Sequence, residues 1–204
     1  MKQGKNSQLL PVIFIVIIIV VAVAAIVALV RTFVLGGGSG QETVQQVDAD
    51  EAALLSTSAD RGVRMSIRGE LTADEKFRSY QITIRPGSRN MTTYEGYLDR
   101  PVESVNLDNN TRAYEEFVHA LNRAGMIAGT PLQGEADDIR GLCHGGKILV
   151  FETLQNDQVL KRLWTTTCGR QSGGSLEAND TQLSSMFLQQ IPEGPRLIKN
   201  INVR

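Results

Sequence analysis

Residues 9 to 30 contain no charged side chain and, apart from Pro11, are all strongly apolar. At about 1.5 Å of rise per residue, the stretch from Val12 to Val30 is long enough as a helix to cross a hydrocarbon core of roughly 30 Å. Pro11 falls in the first turn, where a backbone N–H has no intrahelical partner to lose. Cleaved signal peptides carry a shorter apolar region of about 7–15 residues followed by a small-x-small site. Here the small-x-small positions, such as Ala22 to Ala24, lie inside the run. The two cysteines, Cys143 and Cys168, are too distant to lipidate its end. The expectation is an uncleaved signal-anchor over 9–30, preceded by a short basic tail over 1–8 and embedded in membrane lipid.

Orientation follows from the Lys and Arg residues in the short flanks. Lys2 and Lys5 precede the run, whereas Arg31 is followed by acidic and amide side chains and by no further base until Arg61. This bias places the N-terminus in the cytoplasm and the rest of the chain outside it. Gly36, Gly37, Gly38, Ser39 and Gly40 then form a tether no helix tolerates. A linker and stalk over 31–60 includes a short helix around residues 50–55, capped by Asp48 or Asp50.

The chain carries 21 basic and 22 acidic residues, and with Lys2 and Lys5 ahead of the span the remainder is mildly acidic. Nucleic-acid-binding surfaces carry a basic excess, and an aromatic content of 5% offers few stacking platforms. Nucleic acid is therefore not an expected partner.

Residues 61–204 read as one extracytoplasmic α+β domain with a mainly antiparallel sheet and two main helices. Val63, Met65 and Ile67 alternate with Arg64, Ser66 and Arg68, and Tyr80, Ile82 and Ile84 alternate with Gln81, Thr83 and Arg85. A weaker strand covers Met91 to Leu98. Asn110 or Thr111 opens a helix with an apolar face of Tyr114, Phe117, Val118, Leu121 and Ala124, which Gly125 ends. After a long loop from Met126 to Gly146, Ile148–Leu154 and Val159–Thr167 form a hairpin turning at Asn156-Asp157. A regular two-residue turn sets Glu152 opposite Lys161. It also puts Leu149, Phe151, Leu160 and Trp164 on one face and Ile148, Val150, Val159 and Leu163 on the other. Both faces are apolar, so the hairpin is expected to be central in its sheet, or to have one face covered by another element or a partner. A last helix over about 180–191 stops before Pro192, and Leu197, Ile201 and Val203 suggest a terminal strand.

Cys143 and Cys168 lie just beyond the two ends of this hairpin, and outside the cytoplasm they are expected to pair. Such a bridge closes a loop of about 25 residues and contributes about 3 kcal/mol in the chain-entropy account.

Sharper chemistry is weaker at each point. Gly141 to Lys147 fits G-x-x-x-x-G-K, but Ile148 replaces the Ser or Thr, and a strand follows where a phosphate loop needs a helix. Cys143, His144, Cys168 and His119 lack zinc-site spacing. A Cys143 nucleophile with His144 as its base would need adjacent side chains to point the same way. Glu135, Asp137 and Asp138 lack the order of a calcium loop. Asn90, Asn109 and Asn179 sit in N-x-[ST] triplets that matter only in a glycosylating host.

No catalytic residue, metal or cofactor is assigned. The reading is a non-catalytic binding or assembly module of a cell envelope with a protein partner there, contacted around Asp138, Arg140, His144 and Lys147. The alternatives are a membrane-anchored hydrolase using the loop carboxylates and a purely structural envelope protein.

Overall fold

Strict alternation in two early segments sets the architecture. The computed structural model describes residues 49–168 and 173–199. Strand β1 (Arg61–Arg68) buries Val63, Met65 and Ile67, and β2 (Arg78–Ile84) buries Tyr80, Ile82 and Ile84. They pair antiparallel with Met65 opposite Ile82. Strands β3 (Ser88–Glu95), β4 (Arg100–Asp108), β5 (Ile148–Gln155) and β6 (Gln158–Thr166) complete one antiparallel sheet in the order β4-β3-β2-β1-β5-β6. Period-2 pairing aligns Val105, Met91, Ile82, Met65, Phe151 and Leu163 in one apolar row across all six strands.

The helices cover that row. Helix α1 spans 49–55 and buries Leu54 completely. Helix α2 (Thr111–Arg123) starts at Asn110, whose side chain accepts from the Ala113 N–H at 2.9 Å, and ends before Gly125 at φ +78°. It buries Tyr114, Phe117, Val118 and Leu121, and burial pushes the Tyr114 hydroxyl up to about 12. Helix α3 (Asp180–Gln189) adds Leu183 and Phe187, the latter edge-on to Phe117 at 5.3 Å. The chain turns at Pro192 into α4 (Gly194–Lys199), which buries Leu197. The result is one small α+β domain.

Three expectations change. Strand β4 was not anticipated from sequence, because it is an edge strand whose residues are mostly exposed and it carries Pro101 near its start. The segment around Leu197 is helical instead of extended, while Ile201 and Val203 lie outside the described residues.

The hairpin register is also different. Asn156 and Asp157, at φ +50° and +65°, do form the turn, but an irregularity between Thr153 and Leu154 shifts the pairing by one residue. Glu152 therefore faces Arg162, and Lys161 faces Thr153. Leu163 joins Leu149 and Phe151 on the helix-covered side, and Trp164 joins Ile148 and Val150 on the other.

The expected anchor over 9–30 and the expected Gly/Ser tether lie outside the described residues. Among the described residues no helix is long and apolar enough to cross a membrane. The lead-in to β1 is tied to the domain: Asp50 pairs with Lys161 at 2.7 Å, and Glu51 accepts from Asn122 at 2.6 Å. Asp60 accepts from the Asn156 N–H and the Gln155 side chain, both at 2.9 Å. Asp50 lies within α1 and is an ion-pair partner of Lys161, while Asp48, the other expected cap, lies outside the described residues.

Candidate functional site

The side of the sheet away from the helices changes character along its width. Over β4 to β1 it is polar, with Asn106, Asn90, Thr83 and Arg64 in one cross-strand row and Ser104, Thr92, Gln81 and Ser66 in the next. At β5 and β6 the second row continues as Val150 and Trp164. The loop from Met126 to Gly146 crosses this apolar end, packing Leu132 and Ile139 against Ile148, Val150 and Trp164. The hairpin is not central in its sheet, since β6 is an edge strand; its second apolar face is covered by the chain's own loop.

Two attachments and a disulfide hold the loop down. The Trp164 indole Nε1–H donates to Asp137 at 2.9 Å, and Arg162 reaches the same carboxylate at 2.5 Å. Arg162 is also 3.8 Å from Glu152, which Arg64 contacts from β1 at 2.5 Å. Charges therefore alternate from sheet to loop. Cys143 and Cys168 form the expected disulfide, with Cα atoms 5.7 Å apart. Gly146 makes it possible. A Cβ there would lie 2.8 Å from the Thr167 hydroxyl and 3.0 and 3.1 Å from the two sulfurs. Residues 141–147 thus form the approach to a disulfide and run into β5, which gives the glycines a role unrelated to phosphate.

Between the loop and the sheet run two adjoining clefts. One, of about 300 Å³, lies over β1 and β2 and is lined by Arg64, Ser66, Gln81, Tyr94, Glu152 and Arg162. The other, of about 430 Å³, lies at the end of the sheet beside Leu71, Phe77, Tyr97, Ile139 and Ile148. Arg68 and Ile139 line both. Phe77 and Tyr97 stack at 4.1 Å, and the Arg68 guanidinium lies 5.1 Å over the Phe77 ring. The Tyr97 hydroxyl donates to the Thr72 carbonyl at 2.7 Å and accepts from the Thr72 N–H at 3.0 Å. Leu71, which lines the cleft, is 51% exposed, and Leu98 and Leu142, next in sequence to the lining residues Tyr97, Gly141 and Cys143, are 95% and 37% exposed.

The four residues expected to contact a partner do not share one environment. Arg140 lines the apolar cleft and is held by Asp138 through two hydrogen bonds of 2.9 Å. His144 is exposed, and its carbonyl accepts from the Leu71 N–H at 3.2 Å. Lys147 pairs through its backbone with Thr167 and extends the hairpin. Sequence reasoning missed Arg68, Leu71, Phe77 and Tyr97. No local motif marks them, because they meet only when the end of β1 and the β3–β4 turn come together. His119 is on the exposed side of α2, across the sheet from the disulfide. Among the described residues no group of three or more His, Cys, Asp or Glu side chains could hold a metal ion.

The side-chain hydrogen bond from Arg140, with a backbone hydrogen bond from the same residue, lowers the Asp138 carboxyl to about 2. Its folded value lies below the ordinary one of about 3.9. The contribution of this contact is complete above that ordinary value and is lost as pH falls through about 2. A carboxyl-detected NMR titration should give an Asp138 midpoint near 2, returning toward the ordinary value in Arg140→Gln. An unchanged midpoint in that variant would remove the pair.

Neither a scan against protein-family models nor a comparison with curated proteins finds a match to this sequence.

Proposed function

We propose that the chain is a single-pass, membrane-anchored binding or assembly module of a cell envelope, with its domain outside the cytoplasm and no chemistry of its own. The observation that carries this reading is the exposure of Leu71, Leu98 and Leu142, in or next in sequence to the lining of a cleft already formed between a stapled loop and a rigid sheet. Three further features support it. The uncharged run over 9–30 supplies an anchor. The disulfide suits an oxidising compartment. Asp137 and Asp138 are engaged by Arg162 and Arg140, so these loop carboxylates position the loop. In this reading the partner is a protein of the envelope, and the contact surface moves from the Asp138 to Lys147 cluster to the cleft rim, with Arg140 the residue common to both.

The test uses the full chain in its own membrane. A photo-crosslinking amino acid placed at Leu98 or Leu142 should yield the same discrete protein adduct, whereas placement at Glu116 or His119 on α2 should not. Adducts from α2 alone, or from no position, would sink the proposal. Protease added to intact cells should remove the domain and spare the span; digestion only after permeabilisation would reverse the orientation.

A further inference from the structure

The cleft at the end of the sheet has a lining that distinguishes it from a general contact surface. Its walls are apolar, formed by Leu71, Phe77, Tyr97, Ile139 and Ile148, and the charged side chains that line it are two arginines, Arg68 and Arg140, with no carboxylate. Of their acidic partners, Asp138 lines neither cleft and Asp99 lines only the adjoining one, with side chains 38% and 47% exposed. The Arg68–Asp99 contacts are long, 3.4 Å to each oxygen, and partly solvated. An ion pair of that kind holds its guanidinium weakly and yields readily to a better-placed anion. The Phe77 ring supports the Arg68 guanidinium independently of Asp99, so the cation remains at the cleft when the carboxylate leaves.

We propose that this cleft binds a small amphiphilic anion, an alkyl or aromatic group bearing a carboxylate or similar oxyanion. The apolar group lies against Leu71, Phe77, Ile139 and Ile148, and the head meets the Arg68 guanidinium, whose planar fork suits two carboxylate oxygens. The cleft volume of about 430 Å³ falls in the range of small-molecule sites. A cationic amphiphile of the same length meets two guanidiniums and no compensating carboxylate in the walls. A neutral ester keeps the apolar contact and loses the charge-assisted hydrogen bonds. This site deepens the contact surface proposed above and rests on it.

The full chain in lipid nanodiscs is exposed to a medium-chain alkanoate carrying a diazirine at its tail, to its methyl ester, and to the alkylamine of equal length. After irradiation, adducts are mapped by mass spectrometry. The alkanoate should label peptides containing Leu71, Tyr97 or Leu142 about tenfold more than the amine does, and about tenfold less in the Arg68→Gln, Arg140→Gln double variant. Leu71→Glu sets an anion at the mouth without touching the core, and should also suppress labelling while the disulfide stays intact. Equal labelling by all three probes, or alkanoate adducts confined to residues 9–30, would overturn the proposal. In that case a persisting protein adduct at Leu98 leaves the binding-module reading standing.

Discussion

Asp50→Ala should lower the unfolding free energy by about 3–5 kcal/mol, more than the loss of an exposed ion pair explains. Asp50 and Lys161 are 2.7 Å apart, with side chains only 12% and 8% exposed. Alanine leaves the Lys161 ammonium buried with its nearest carboxylate gone, and desolvation without compensation is the main cost. Replacing both residues tests that account. Asp50→Leu with Lys161→Met removes the charges together and should come within about 1 kcal/mol of the parent or exceed it. Denaturant titration followed by the fluorescence of Trp164, the only tryptophan in the chain, reads both proteins. Equal losses in the single and double variants would locate the effect in packing instead of charge.

Removing the disulfide by Cys143→Ser and Cys168→Ser should cost about 2–5 kcal/mol. The loop it holds covers the apolar patch of Ile148, Val150 and Trp164, so the consequence extends beyond chain entropy. Without the bridge, Leu132 and Ile139 are held over Trp164 mainly through Asp137, and the indole should become more accessible to a soluble quencher before global unfolding. Gly146→Ala should reproduce part of the effect by crowding both sulfurs with one methyl group. Non-reducing peptide mapping of protein folded under oxidising conditions should recover both cysteines in one cross-linked fragment. Two free thiols in that folded material would refute the pairing.

The parts of this fold that could be read from sequence are those whose signal is local. Val63, Met65 and Ile67 alternate cleanly because β1 has polar side chains opposite its core. Helix α2 shows itself because a single stripe from Tyr114 to Leu121 meets the sheet and Asn110 caps it. Strand β4 was hidden because an edge strand buries too little to impose a period. The hairpin was visible but its faces were not: one extra residue near Leu154 changes no composition, yet it moves Trp164 to the opposite side of the sheet. The disulfide was legible from the position of two cysteines, whereas Asp137 looked like any loop carboxylate. Its role depends on Arg162 and Trp164, which are 25 and 27 residues away. The apolar cleft drew no sequence signal for the same reason, since Arg68, Tyr97 and Ile139 come from three separate segments.

The contacts of residues 49–60 give the domain a definite mechanical behaviour. A load drawn along the chain toward its N-terminus first meets the Asp50–Lys161 and Glu51–Asn122 clips, which can break one at a time. It then reaches β1, which is bonded antiparallel along its length to β2 on one side and β5 on the other. Pulled along its own axis, β1 is loaded in shear, so both ladders resist together and cannot be unzipped bond by bond. A domain built this way would yield a little slack at modest tension and then hold. The cleft at the far end of β1 would keep its shape while the lead-in gives way.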